Sequence, residues 1–210
     1  KKINLVLEEL NINQLNKLSA VIKPSNFKSI LNNKITNGKL ETELEIFLND
    51  DGDLKDFIAK GKVKDLEIEV ISGLNLTKTN LSFFADKNDI LIKNVFGELE
   101  DIKISNGDIK LNIENGIKID SNFNSKTSLN ENLTSKYEKF LKKYIPAFKI
   151  KNFDSDINNN LSIYLDDTYK LKDYNYTISG KIKKSVVELY KPFKNNFIND
   201  VIKDIYLSDL

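Results

Sequence analysis

Gly38-Lys39-Leu40-Glu41-Thr42-Glu43-Leu44-Glu45-Ile46-Phe47-Leu48, followed by Asn49-Asp50-Asp51-Gly52-Asp53, is the stretch that decides the fold. Leu40, Thr42, Leu44, Ile46 and Leu48 recur at every second residue, and Glu41, Glu43 and Glu45 occupy the positions between them. Side chains on a strand point alternately to opposite faces, so this spacing makes a strand apolar on one side and charged on the other. The Asp-Gly step then supplies the positive-φ residues of a tight hairpin turn.

The same grammar repeats. Leu66, Ile68 and Val70 alternate with Glu67 and Glu69, and Leu81, Phe83 and Ala85 precede the turn Asp86-Lys87-Asn88-Asp89, which leads into Ile90-Leu91-Ile92. Ile102 and Ile104 precede Asn106-Gly107, while Ile109, Leu111 and Ile113 precede Asn115-Gly116. Ile117 and Ile119 lead toward Phe123. Short strands with a turn signal about every 8–12 residues predict an antiparallel meander, here over 38–127. Leu161, Ile163 and Leu165, a turn at Asp166-Asp167, and Tyr174, Tyr176, Ile178 and Ile182 predict further strands over 150–191.

Three segments have helical spacing instead. Ile12, Leu15, Leu18 and Ile22, then Phe27, Ile30 and Leu31 beyond Pro24, make 1–37 a helical lead-in. Ser128-x-x-Glu131 reads as a capping box for an amphipathic helix in 128–149, with Leu129, Leu133, Tyr137, Phe140, Leu141 and Tyr144 on one face before Pro146. Pro192 suits the first position of a last helix, in 192–210, carrying Phe193, Phe197, Val201 and Ile205. The expected class is α+β and β-dominated: a long antiparallel meander with a few amphipathic helices, whose sheet can curl into a groove.

Composition removes many functions. The 210 residues include 32 basic and 31 acidic ones, a net charge of +1, and every basic residue is Lys; Arg, His, Cys, Met and Trp are absent. A Ser-His-Asp triad, a Cys nucleophile, and thiolate or imidazole zinc sites are therefore impossible. Balanced charge without Arg argues against nucleic acid. An AT-rich genome is the simplest source of the Lys, Asn and Ile bias. These 210 residues hold no apolar run near the ~18–20 of a membrane span and no signal peptide, so an anchor or signal of the parent is expected outside them. A chain that starts at Lys1 and contains no Met is expected to be a processed product or a piece of a longer protein.

The acidic turn 49–53 has the ligand type for calcium, but Gly52 is misplaced for the twelve-residue loop and no Glu closes it, so a plain hairpin turn is expected. The other acids alternate with lysines on strand faces, which suits solvated cross-strand ion pairs better than catalysis by paired carboxylates. Five Asn-x-Ser/Thr sequons are what an Asn-rich chain yields by chance. Neither a phosphate-cradling glycine loop nor a base-stacking platform is present. No cofactor and no metal are expected. What is specific is the one-sidedness of the strands, whose apolar face can be covered by a second sheet, by the helices, or by a ligand.

Gly38-Lys39-Leu40, Asp51-Gly52-Asp53-Leu54-x-x-Phe57, Gly61-Lys62-Val63-x-Asp65, Gly73-Leu74-x-Leu76, Leu81-x-Phe83-x-Ala85, Gly97-x-Leu99 and Ile102-x-Ile104-x-x-Gly107 follow one another over roughly residues 12–125. That succession resembles the repetitive β regions of the AsmA-like superfamily, which includes TamB and YhdP, and Phe153–Lys183 resembles a further unit. The motifs are glycines and alternation, not a catalytic signature. The resemblance implies a periplasmic segment of an inner-membrane-anchored protein whose β-groove shields phospholipid acyl chains in transit between inner and outer membrane. It carries over no catalytic residue. The groove positions it implies are Leu40, Leu44, Ile46, Leu66, Ile68, Val70, Ile102, Ile104, Ile109, Leu111, Ile113, Ile117 and Ile119. The expected function is thus non-enzymatic lipid shielding, with acyl chains and, through the parent protein, a membrane as partners, and no nucleic acid. The rival is a structural or adhesive β module whose apolar faces close on each other.

Overall fold

The alternation is realised as strand after strand. In a computed structural model, β1 (Lys2–Asn11), β2 (Ile35–Leu48), β3 (Leu54–Ile71), β4 (Leu74–Ala85), β5 (Asp89–Leu99), β6 (Ile102–Asn112) and β7 (Ile117–Leu129) precede the short helix α1 (Glu131–Lys136). β8 (Phe148–Leu165), β9 (Leu171–Phe193) and β10 (Ile202–Ser208) follow. The structure describes residues 1–12, 14, 33–71, 73–114, 116–136, 138, 142, 147–166, 168, 170–194, 197 and 201–210. The ten strands form one sheet in strict chain order, which does not close on itself, and every pair with a defined register is antiparallel. The fold is a β-dominated antiparallel meander.

The β2–β3 and β4–β5 turns follow the sequence signals, whereas Asn106-Gly107 lies inside β6 and marks a bulge, not a turn. Asn49 and Asp53 close the β2–β3 hairpin (Asn49 N–H to Asp53 O, 2.8 Å), with Gly52 at φ 89°. At the β4–β5 turn the Asp86 carboxylate accepts the Asn88 and Asp89 N–H groups at 2.9 and 2.8 Å. These two bonds hold its carboxyl below the usual carboxylate range.

Helix content differs from expectation, and the reasons are local. The lead-in of 1–37 contains a strand: Ile3, Leu5 and Leu7 alternate with Asn4, Val6 and Glu8, and β2 pairs with them residue by residue. Of the lead-in's apolar positions Ile12 is described and buried, whereas Leu15, Leu18, Ile22, Phe27, Ile30 and Leu31 lie outside the described residues. In 128–149 the described helix is Glu131–Lys136, and its cap is Asn130, whose Oδ1 accepts the Leu133 N–H at 3.1 Å. Ser128 belongs to β7, so the capping box does not form. Tyr137, Phe140, Leu141 and Tyr144 lie outside the described residues.

The C-terminal helix of 192–210 is overturned. Pro192 and Phe193 end β9, and Ile202–Ser208 is β10, which pairs with β9 through Ile205 opposite Val187 and Tyr206 opposite Val186. The spacing of Phe193, Phe197, Val201 and Ile205 matches a helix, but all four side chains are exposed and form no buried stripe. Backbone pairing along β9 wins.

Contacts divide the chain into one unit of Lys1–Asn124 with Asn159–Thr177 and another of Ser125–Asn158 with Ile178–Leu210. The second unit buries Val186 and Val187 together with Thr127, Thr134, Ser155 and Ser185. Lys151 there bridges Asp204 (3.1 Å) and Glu188 (3.5 Å), and Lys203 also reaches Glu188 (2.6 Å). The first unit carries the candidate site.

The β8–β9 turn gives a pH-dependent prediction. The Asp166 carboxylate accepts the Thr168 hydroxyl (2.7 Å), the Lys170 N–H (3.0 Å) and the Thr168 N–H (2.9 Å), and pairs with Lys172. The Thr168 hydroxyl leads in holding this carboxyl far below the usual range. A carboxyl more acidic when folded stabilises the fold above its unfolded pKa, and that stability drains as pH falls below about 4. Asp166→Asn is expected to lower the urea midpoint at neutral pH and to flatten its decline between about pH 4 and 2. Parallel pH profiles for the two proteins would remove Asp166 from this role.

Candidate functional site: an uncharged face across six strands

Directly opposed residues of an antiparallel pair project to the same face, so the register assigns one face of β1–β6. Ile3, Ile46 and Phe57 form one row across the strands. Leu5, Leu44, Ala59, Ala85, Ile90 and Leu111 form the next. Leu7, Thr42, Gly61, Phe83, Ile92 and Ile109 follow, then Leu10, Leu40, Val63 and Leu81. Ile35, Ile68, Leu76, Leu99 and Ile102 complete the set. None of these residues is charged. The opposite face carries the ion pairs Lys2–Glu45, Lys60–Glu43, Lys64–Glu41, Lys78–Glu98 and Lys93–Asp108. Exposed pairs of this kind stabilise little individually, but they keep that face in water.

The face survives an interruption in every strand. The register slips between Leu7 and Leu10, Asn37 and Lys39, Val63 and Leu66, Thr77 and Asn80, and Ile92 and Val95. Glu9, Gly38, Asp65, Lys78, Asn94 and Asn106 have positive φ at these points. A β-bulge of this type adds one residue and bends the strand. The apolar phase slips with it: Leu7-x-x-Leu10, Val63-x-x-Leu66, Ile92-x-x-Val95 and Ile104-x-x-Gly107 keep their residues on one side. Leu10 faces Leu40, Leu66 faces Thr79 and Val95 faces Gly107, so the bulges line up as a crease across the sheet. Two amides at bulges take side-chain partners: Asp65 N–H donates to Asn80 Oδ1 at 3.2 Å, and Asn94 N–H to Asp108 Oδ1 at 3.3 Å.

Apolar burial concentrates at this crease. In this unit the buried apolar side chains among the described residues are Ile12, Leu66 and Val95, with Thr79 fully buried beside them. Ile12, Thr79 and Val95 each lie over a glycine of the next strand, and Leu66 lies against Gly38 of the preceding one. A Cβ on Gly38 would stand 2.7 Å from Ile12 Cδ1, one on Gly97 2.5 Å from Thr79 Oγ1, and one on Gly107 2.7 Å from Val95 Cβ. Away from the crease the face is half-buried or open, and Leu5 is 46% exposed.

Of the positions expected in a groove, Leu40, Leu44, Ile46, Leu66, Ile68, Ile102, Ile109 and Leu111 share this face by register, and Ile104 stands opposite Gly97 next to them. Val70 falls at an irregular end of the β3–β4 pairing and is exposed, and Ile113 lies beyond the end of β6, also exposed. Ile117 and Ile119 alternate on β7 with Lys118 and Asp120, which form an ion pair at 3.0 Å. The sequence reading missed the contribution of β1, although Ile3-Asn4-Leu5-Val6-Leu7 shows the alternation.

Among the described residues no cluster of three acidic side chains can hold a metal. A 360 Å³ hollow is lined by Lys93, Asp108, Asp120, Asn122, Asn160 and Ser162 together with Leu91, Ile109 and Leu161. Its polar side chains are bonded to one another: Lys93 to Asp108, Asn122 to Asn160 and Ser162 to Asp120. No protein-family model, curated protein or solved structure matches the chain.

The crease predicts a coupled pair of substitutions. Gly97→Ala, which forces a methyl against Thr79, is expected to cost about 1–3 kcal/mol in urea unfolding. Thr79→Ala in the same chain should return part of that loss, a non-additivity read from a double-mutant cycle. Additive effects would show that Thr79 does not pack on Gly97.

Proposed function

We propose that the chain is a non-enzymatic segment of an AsmA-like envelope protein, periplasmic and joined to the inner membrane through its parent. In that setting its uncharged face shields phospholipid acyl chains passing between inner and outer membrane. The observation that carries this reading is an uncharged face spanning β1–β6 that the described residues leave largely uncovered. A closed β module, the rival reading, would bury those rows.

The energetics favour such a surface. Withdrawing a two-chain phospholipid from a bilayer exposes roughly 30 methylenes at about 0.8 kcal/mol each, some 25 kcal/mol gross. A carrier face has to return most of that, so a charge on it is costly, about 2–4 kcal/mol by analogy with the lipid face of a membrane barrel. Acyl chains would lie on the uncharged rows while headgroups stay in water. The mechanism is passive apolar contact with no bond made or broken.

The test is native mass spectrometry with lipid extraction on protein purified from bacterial cells without detergent. Phospholipid should co-purify, and Leu111→Asp, at the β6 end of the face, should weaken its retention about 30- to 1,000-fold. Leu91→Asp is the control: Leu91 stands between Phe84 and Lys110 on the opposite face, and its substitution should leave lipid content intact. A lipid-free mass from the well-folded wild-type chain would defeat the lipid reading in favour of the closed module.

A further inference from the structure

We propose that a second copy of this chain docks along the free edge of β1, strand to strand and antiparallel, with the two-fold axis at Leu5. Among the described residues β1 is the first strand of the sheet and pairs with β2 alone. Lys1 and Leu48 exchange both backbone bonds: the Lys1 amine donates to Leu48 O at 2.9 Å, and Leu48 N–H to Lys1 O at 2.8 Å. Such pairs alternate along an antiparallel ladder. The register continues through Ile3 opposite Ile46 and Leu5 opposite Leu44, so the odd residues bond to β2. Lys2, Asn4, Val6 and Glu8 therefore aim their N–H and C=O groups outward.

Natural edge strands are protected against pairing by Lys, Pro or bulges. Between Lys2 and Glu8 this edge has no such device. Ile3-Asn4-Leu5-Val6-Leu7 is uncharged, Val6 is 68% exposed, and the bulge comes only between Leu7 and Leu10.

A copy of the same strand can satisfy the outward groups in neighbouring registers, and the side chains select one. With Leu5 opposite Leu5 of the second copy, Ile3 faces Leu7, Asn4 faces Val6 and Lys2 faces Glu8. Centring the pair on Asn4 sets Lys2 against Val6, and centring it on Val6 sets Glu8 against Asn4; both lose the charge pair. Glu8 makes no ion pair among the described residues, and Lys2 already lies 3.0 Å from Glu45, so Glu8 of the second copy completes a carboxylate–Lys–carboxylate group. Ile3, Leu5 and Leu7 of both copies fall on one side, and the uncharged face runs on across the axis. The interface is isologous. A single strand edge buries less than the roughly 1,200 Å² of stable complexes, so the dimer is weak and concentration-dependent.

Sedimentation velocity over a wide concentration range should show the mass doubling. Lys2→Glu and Glu8→Lys each place like charges opposite one another and should each move dimerisation to at least about tenfold higher concentration, whereas a one-to-one mixture of the two variants restores it. The chain contains no Cys, so a single introduced thiol reports the register. Leu5→Cys sits at a non-hydrogen-bonded pair with Cα atoms about 4.5 Å apart and should oxidise to a covalent dimer. Asn4→Cys should link only when mixed with Val6→Cys. A chain that stays monomeric overturns the proposal, as does a dimer indifferent to the charge variants or cross-linked equally by Leu5→Cys and Asn4→Cys. Protection of the Asn4 and Val6 amides from hydrogen exchange in a monomer would place another segment on this edge and also overturn it.

Discussion

Charge has to stay off one face of the sheet while each strand is interrupted by a bulge. A strand of period two that gains one residue turns its remaining side chains over, which here would carry Glu and Lys onto the apolar side. The chain avoids this by slipping its own alternation at the same places. Val63 and Leu66, or Ile92 and Val95, are three apart where the rest of each strand counts by two. Backbone irregularity and sequence phase are thus tied together, and the face stays continuous from Ile3 on β1 to Leu111 on β6.

That constraint explains how packing is distributed. Aligned bulges bring neighbouring strands close, and glycine is what fits beneath the side chain of the next strand, as at Gly97 under Thr79 and Gly107 under Val95. The crease therefore holds the buried apolar side chains described in this unit, while Leu44, Ile46 and Leu111 remain only half covered. A sheet that leaves apolar area in reach of water has stability in reserve. Anything that occupies the face in the folded state and not in the unfolded chain stabilises the fold by mass action. Under the proposed function, the lipid would complete the core of this unit.

The strands were legible because their signal is local. Alternation over Leu40–Leu48 and the Asp-Gly and Asp86–Asp89 turns need no tertiary knowledge to read. The C-terminal segment was misread because Phe193, Phe197, Val201 and Ile205 satisfy helical spacing, while the deciding fact, an open β9 edge at Val186 and Val187, belongs to another part of the chain. β1 was absorbed into a helical lead-in for a similar reason: its five-residue alternation is short, and its partner lies some forty positions away. Most of the expected groove positions fell on one face because they were chosen by alternation within strands. Val70 and Ile113 did not, since pairing becomes irregular or ends there, and a pattern continued past the ladder no longer assigns a face.

Solubility and association pull against each other in this design. A net charge of only +1 gives little long-range repulsion between copies, so the cross-strand ion pairs on the opposite face have to keep the chain hydrated. Those pairs contribute little to folding, yet they hold Lys and Glu on one side and leave the other free of both. The same neutrality that suits acyl chains also suits another apolar strand, and β1 is where the two demands meet. Its odd residues extend the uncharged face, and its even residues turn their backbone groups toward the edge. An occupant of the face can slide, because apolar contact is non-directional. An occupant of the edge cannot, because hydrogen bonds and the Lys2–Glu8 spacing admit one register.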